Sequence, residues 1–179
     1  QILDCTHRFH RACVEELRKG GVQQACPMCR AKLPDSAEKM FADGCTIYIP
    51  IERRVQQGDG SWGPLSRRQQ RQMDEVVRLW EGAAEQGHAK AQYNLGVMYD
   101  RGQGVDVNYK KAIEWYMKAA EQGDAPAQYN LGIMHYQGRG VDVNYKKAIE
   151  WYEKAAKQGH VDAQYNPVSY THLTLPTNA

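Results

Sequence analysis

A chain of 179 residues can hold one ordinary domain, or a small module joined to a larger one. Its net charge of +2 and isoelectric point near 8.3 argue against a dedicated nucleic-acid binder, which concentrates basic residues on one face. The longest apolar run, TIYIPI at 46–51, is far too short to cross a bilayer, so no nucleic acid and no membrane is expected as a partner.

Four of the five cysteines fall within the first 29 residues, beside two histidines. Such clustering points to metal chemistry in a reducing compartment, hence an intracellular setting, cytoplasmic or nuclear, rather than to a disulfide framework. The ordered series is Cys5-x-His7-x-x-His10-x-x-Cys13, twelve residues, then Cys26-Pro27-Met28-Cys29. Thiolate and imidazole are the usual protein donors to zinc, which takes four of them in a tetrahedron. Six ligands are too many for one such ion and two too few for two.

This spacing resembles the latter three quarters of a RING finger, of the variant with His at both central positions. That family holds two zinc ions with eight ligands in a cross-brace. The resemblance implies a complete zinc site from Cys5, His7, Cys26 and Cys29, and a half site from His10 and Cys13, whose Cys-x-x-Cys partner is expected upstream of Gln1. It also implies that Phe9 belongs to the small apolar centre of the finger, and that Pro27 falls on the surface that meets a ubiquitin-conjugating enzyme. Arg30 falls where the family has a basic residue that orients the ubiquitin thioester; its other reading is a solvated charge. Leu17 stands where many such fingers have Trp, keeping an apolar contact but losing area.

Residues 1–34 are therefore expected as a partial RING-type zinc finger and 35–69 as a linker, with Gly58, Gly60, Gly63 and Pro64 breaking any long element. The arginines between Arg53 and Arg71 read as a solvated linker or a first helical turn in preference to a binding patch. Cys45 reads as a small half-buried residue.

A tandem duplication follows. AAEQG at 83–87 returns at 119–123, and AAKQG at 155–159, a period of 36; residues 83–118 and 119–154 agree at 28 of 36 positions. Each copy reads as two helices. In the first, Ala91, Leu95, Met98 and Tyr99 share one face. The second starts after Asn108 or Asn144, suited to capping, and carries Tyr109, Ala112, Ile113, Tyr116, Ala119 and Ala120 along one stripe. Gly96 and Gly132 inside helices suggest close backbone approach, since each costs about 1 kcal/mol against Ala. The pairs Trp115/Tyr116 and Trp151/Tyr152 are expected in the core. His88 and His160 share a repeat position with Asp124 and read as helix-start residues rather than metal ligands.

The segments A-x-x-G, A-x-x-x-L-G-x-x-Y-x-x-G-x-G-V and Y-x-K-A-x-x-W-Y-x-x-A-A, present here from Ala84 to Ala120 and again 36 residues on, resemble the Sel-1-like repeat, a relative of the tetratricopeptide repeat. The expected fold is all-α: a helix-pair solenoid of such repeats over 70–166, preceded by a partial zinc-bound RING module. A degenerate helix at 73–84 would cap two full copies and a truncated third. From Pro167 the third copy breaks off into PVSYTHLTLPT, whose back-translation resembles a transposase-end adaptor of sequencing libraries. Residues 167–179 are expected to be adaptor read-through.

The two resemblances together imply a zinc-binding protein-interaction module whose parent is a RING-type ubiquitin-protein ligase. The finger would recruit the conjugating enzyme, and the repeats would bind a substrate or other protein partner. The alternative is a non-enzymatic scaffold with a RING-like zinc module. No Ser/His/Asp, paired-carboxylate or phosphate-loop constellation stands in a credible context for another chemistry.

Overall fold

The computed structural model describes residues 35–58 and 60–164. The expected zinc ligands Cys5, His7, His10, Cys13, Cys26 and Cys29, the expected contact residues Phe9, Leu17, Pro27 and Arg30, and the 167–179 tail all lie outside the described residues.

Six helices follow in order among the described residues: α1 (Ala37–Gln57), α2 (Arg67–Glu85), α3 (Ala89–Arg101), α4 (Tyr109–Glu121), α5 (Ala125–Gln137) and α6 (Tyr145–Lys157). Among the described residues there is no strand. The described residues form a helix-pair solenoid, as the periodicity predicts. Each start has a side-chain cap. Asn108 and Asn144 accept from the Lys111 and Lys147 N–H at 3.0 Å, Asp124 from Ala127 at 2.8 Å, and His88 Nδ1 from Ala91 at 3.1 Å. His88 is thus a helix-start residue, in the place that Asp124 fills one repeat later. Gly102 and Gly138 end α3 and α5 in the left-handed conformation, φ 67° and 69°.

The expected linker at 35–69 contains a 21-residue helix, α1. The breaking residues Gly58, Gly60, Gly63 and Pro64 all lie beyond its end. Before them Ala37, Met40, Phe41, Gly44, Cys45, Tyr48 and Ile51 follow helical spacing and turn inward, Gly44 and Ile51 fully. Pro50 removes one backbone bond, to the Thr46 carbonyl, on the exposed side where water can replace it. The expected cap helix at 73–84 runs from 67 to 85 and is the second member of a pair with α1, not the end of the stack.

That pair is a repeat unit in disguise. A Cβ on Gly96 would sit 2.5 Å from Tyr116 Cε1, and one on Gly132 2.5 Å from Tyr152 Cδ1. A Cβ on Gly44 would sit 2.5 Å from Trp80 Cδ1. Trp80, Tyr116 and Tyr152 keep the 36-residue period, while Gly44 precedes Gly96 by 52 residues, so 16 extra residues lie between the two helices of the first unit. All three rings are almost completely buried.

Polar contacts between units recur in the same register. Gln92 Nε2 donates to the Ala84 carbonyl at 2.9 Å, and Gln128 Nε2 to Ala120 at 3.1 Å. Gln122 and Gln158 in turn donate to the Gln92 and Gln128 side-chain oxygens at 2.7 Å. In the first unit Met40 takes the glutamine position, and Gln86 Nε2 lies 3.4 Å from its Sδ. These ties satisfy the amides that burial would otherwise leave costly. The loop after α5 also reaches back to α3, where Arg139 Nη1 pairs with Asp100 Oδ1 at 2.8 Å. In the equivalent place one unit earlier, the Tyr48 hydroxyl meets Gln103 Oε1 at 3.0 Å.

Trp115 and Trp151 depart from expectation. Tyr116 and Tyr152 are in the core, but their Trp neighbours are only half-buried, because adjacent helical positions diverge by about 100°. Each Trp packs against the edge of the core and has a lysine ammonium 4.0 Å from its ring centroid, Lys118 and Lys154 respectively.

Gly96→Ala, which would gain about 1 kcal/mol in an open helix, should destabilise by about 1–3 kcal/mol through overpacking against Tyr116. Gly44→Ala should carry the same sign, and a gain in urea midpoint for either contradicts the packing. His135 occupies the place of Tyr99; burial first, and Lys147 second, hold its imidazole below the ordinary 6.5. The unfolded chain then takes up the proton first. This contribution is whole above about pH 6.5 and is lost as pH falls toward the lower folded-state value. His135→Tyr should shrink the drop in melting temperature between about pH 7.5 and about pH 5.5; an unchanged drop contradicts the assignment.

Candidate functional site

The residues flanking α3 tie it to α1, His88 Nε2 lying 3.1 Å from Glu38 Oε2 and Gln103 Oε1 3.0 Å from the Tyr48 hydroxyl, and an open groove of about 370 Å³ runs between the two helices. Tyr48, Ile49 and Glu52 of α1 line one wall; Tyr93, Asn94, Val97 and Arg101 of α3 line the other, with Trp80 beneath and Gln103 closing one end. On α3 the groove residues Asn94, Val97 and Arg101 follow i, i+3, i+7 spacing on the side away from Gln92, Leu95 and Tyr99, which are buried. The same positions on α5 are Asn130, Ile133 and Gln137, so the lining continues along the array.

The chemistry of this groove is that of binding. The Tyr48 phenol has Glu52 Oε1 at 3.2 Å and Gln103 Oε1 at 3.0 Å as alternative acceptors. Burial first, and then the Glu52 charge, push its pKa up, so it stays a neutral donor. Burial also raises the Cys45 thiol, more than its contact with Trp80 lowers it, which suits a packing residue and not a nucleophile. Ile49 is 46% exposed at the rim. Aromatic and aliphatic walls with Asn94, Glu52 and Arg101 between them match the usual make-up of a peptide-binding surface. Among the described residues no group of three or more His, Cys, Asp or Glu could hold a metal ion, and no helix is long and apolar enough to cross a membrane.

None of the groove residues was singled out from sequence except Cys45, read correctly as half-buried. Their signal was available only as the complement of the buried stripe on α3. For α1 even that was hidden, because its pairing with α3 spans an irregular 52 residues.

Four thiolates and two imidazoles suit zinc and suit no hard oxygen-seeking cation.

Comparison with known proteins agrees with both halves. The family model of the Sel1 repeat matches residues 89–124 and 125–160, and that of the C3HC4-type zinc finger (RING finger) matches residues 1–29. Among solved structures, a Sel1 repeat protein from Oxalobacter formigenes is similar at 36% identity and TM-score 0.53, over 74% of this chain and 92% of that one. A protective antigen with an SLR fold from uropathogenic Escherichia coli strains is similar at 26% identity and TM-score 0.60 over 88% of this chain, which spans 28% of that antigen's length. Cysteine-rich protein B of Helicobacter pylori shares the fold at 24% identity and TM-score 0.50, over 72% of this chain and 92% of its own. No curated protein matches. The six zinc-type donors all fall inside the RING match, which implies zinc binding, and α3 to α6 fill the two matched repeats. The chain belongs to the Sel1-repeat family and carries a RING-type zinc finger at residues 1–29 ahead of its repeats.

Proposed function

We propose that the protein is part of an intracellular RING-type ubiquitin-protein ligase, cytoplasmic or nuclear, whose repeat groove binds the substrate or an assembly partner. The observation that carries this reading is the pairing, in one chain, of a RING-type donor series with a helical array built for protein contacts. Zinc supplies folding energy to a finger of this size. Cys5, His7, Cys26 and Cys29 would hold one ion, and His10 and Cys13 half of a second site. Phe9, Leu17 and Pro27 would offer apolar contact to a ubiquitin-conjugating enzyme. The Arg30 guanidinium can donate several hydrogen bonds at once to carbonyls on the enzyme and on ubiquitin. Such a clamp accelerates transfer by orientation, with no nucleophile of its own. The groove between α1 and α3 would take an extended or helical segment of the partner.

A scaffold that only bridges proteins is the second reading, favoured by Leu17 where many such fingers have Trp. The two separate on one assay. In the protein with a full eight-ligand finger, Arg30→Ala should slow discharge of ubiquitin from the conjugating enzyme about tenfold or more, about 1.4 kcal/mol of barrier. Discharge unaffected by the change, or none in the parent, contradicts the ligase and leaves the scaffold.

A further inference from the structure

The 16 extra residues of the first unit do not form a loose loop. Ile49 matches Arg101, where α3 ends, yet α1 continues eight residues further to Gln57; Met73 matches Tyr109, where α4 begins, yet α2 starts six residues earlier at Arg67. Both helices of this unit are therefore longer than their counterparts, an extended hairpin that the other two units lack. Residues 50–72 hold five arginines against Glu52 and Asp59, a net +3, whereas residues 73–164 hold 11 basic and 13 acidic side chains.

Of those arginines only Arg54, in the last turn of α1, suits the helix that carries it. All five are exposed, and none makes an ion pair with a described acid. Nearby Glu75 is held by Arg78, its Oε2 2.8 Å from Arg78 Nε, and Asp74 accepts from Gln70 at 3.0 Å. Arg67, Arg68 and Arg71 stand in the first turns of α2, at the positive end of its dipole, with no acidic residue in the first turn. Cations there oppose helix formation. The capping box of Ser66 is closed by neutral Gln69 rather than by a glutamate. The three arginines line an open groove of about 480 Å³ together with Ile47 of α1, Gln72 and Glu75, the one acid in its wall, whose carboxylate is already paired with Arg78. Arg54, two turns beyond Ile47, lies on the same helical face.

We propose that this hairpin is a second docking surface, distinct from the groove between α1 and α3, and that it takes an acidic peptide segment of a partner protein. Carboxylates pair with the guanidiniums of Arg67, Arg68 and Arg71, which favour bidentate contact. They also supply the negative charge that the start of α2 lacks. An aliphatic side chain of the peptide covers Ile47. A nucleic-acid backbone fits less well, because it has nothing to place on Ile47 and the remaining solenoid is acidic.

The test is a fluorescence-anisotropy titration of the full chain with a labelled twelve-residue peptide of glutamates around one leucine. The same titration is run with the matching glutamine peptide and with a dT oligonucleotide. The glutamate peptide should bind, weaken with added salt, and lose affinity about tenfold or more in Arg67→Glu/Arg68→Glu/Arg71→Glu. That variant should melt no lower than the parent, since glutamate suits the start of a helix. Equal binding by the glutamine peptide, which needs no variant, overturns the proposal. So does undiminished binding by the charge-reversed chain, or tighter binding of the oligonucleotide than of the peptide.

Discussion

The described structure depends on one contact repeated three times: a helix so close to an aromatic ring that only glycine fits between them. Gly44 against Trp80, Gly96 against Tyr116 and Gly132 against Tyr152 set the separation of the two helices in every unit. Glycine inside a helix costs about 1 kcal/mol, and the full burial of a large ring offsets it several times over. With that distance fixed, the second helix of each unit packs against the first helix of the next. The buried glutamine ladder then finds its carbonyls in register. Placement of the groove between α1 and α3 follows from the same geometry.

Much of this was legible because duplication left the period intact. The capping asparagines, the internal glycines and the buried tyrosines stand where the 36-residue repeat and helical spacing put them. The first unit escaped for a physical reason. Repeat recognition relies on a constant interval, and its 16 extra residues break that interval without disturbing the contacts. Trp80 in place of Tyr and Met40 in place of Gln removed two further identities, although both keep the packing role. The glycines after residue 57 then gave the whole segment the look of a linker. Trp115 and Trp151 stand at the edge of the core rather than inside it, since a ring can be covered partly by the core and partly by a lysine stem and ammonium. The zinc-type donor series stood out by residue type and spacing alone, which need no fold to be recognised.

Two surfaces with different chemistry emerge from one architecture. The groove between α1 and α3 is amphipathic and neutral in tone, with phenol, amide and aliphatic groups between Glu52 and Arg101. The extended hairpin is basic, and its charge works against the helix that bears it. A regular repeat array offers every unit the same inner lining. Lengthening a single unit is a direct way to add a separate feature without altering the stack, because solenoid units touch only their neighbours.

The most direct test of the three-unit account is native-state hydrogen exchange on the full chain, comparing amides of α1 around Gly44 to Ile51 with those of α3 around Leu95 to Tyr99. Protection of α1 approaching that of α3 is the result expected if Gly44 and Trp80 hold a true first unit. Exchange of the α1 amides at the rate of an open chain, while α3 stays protected, would contradict it and return residues 35–69 to a connector.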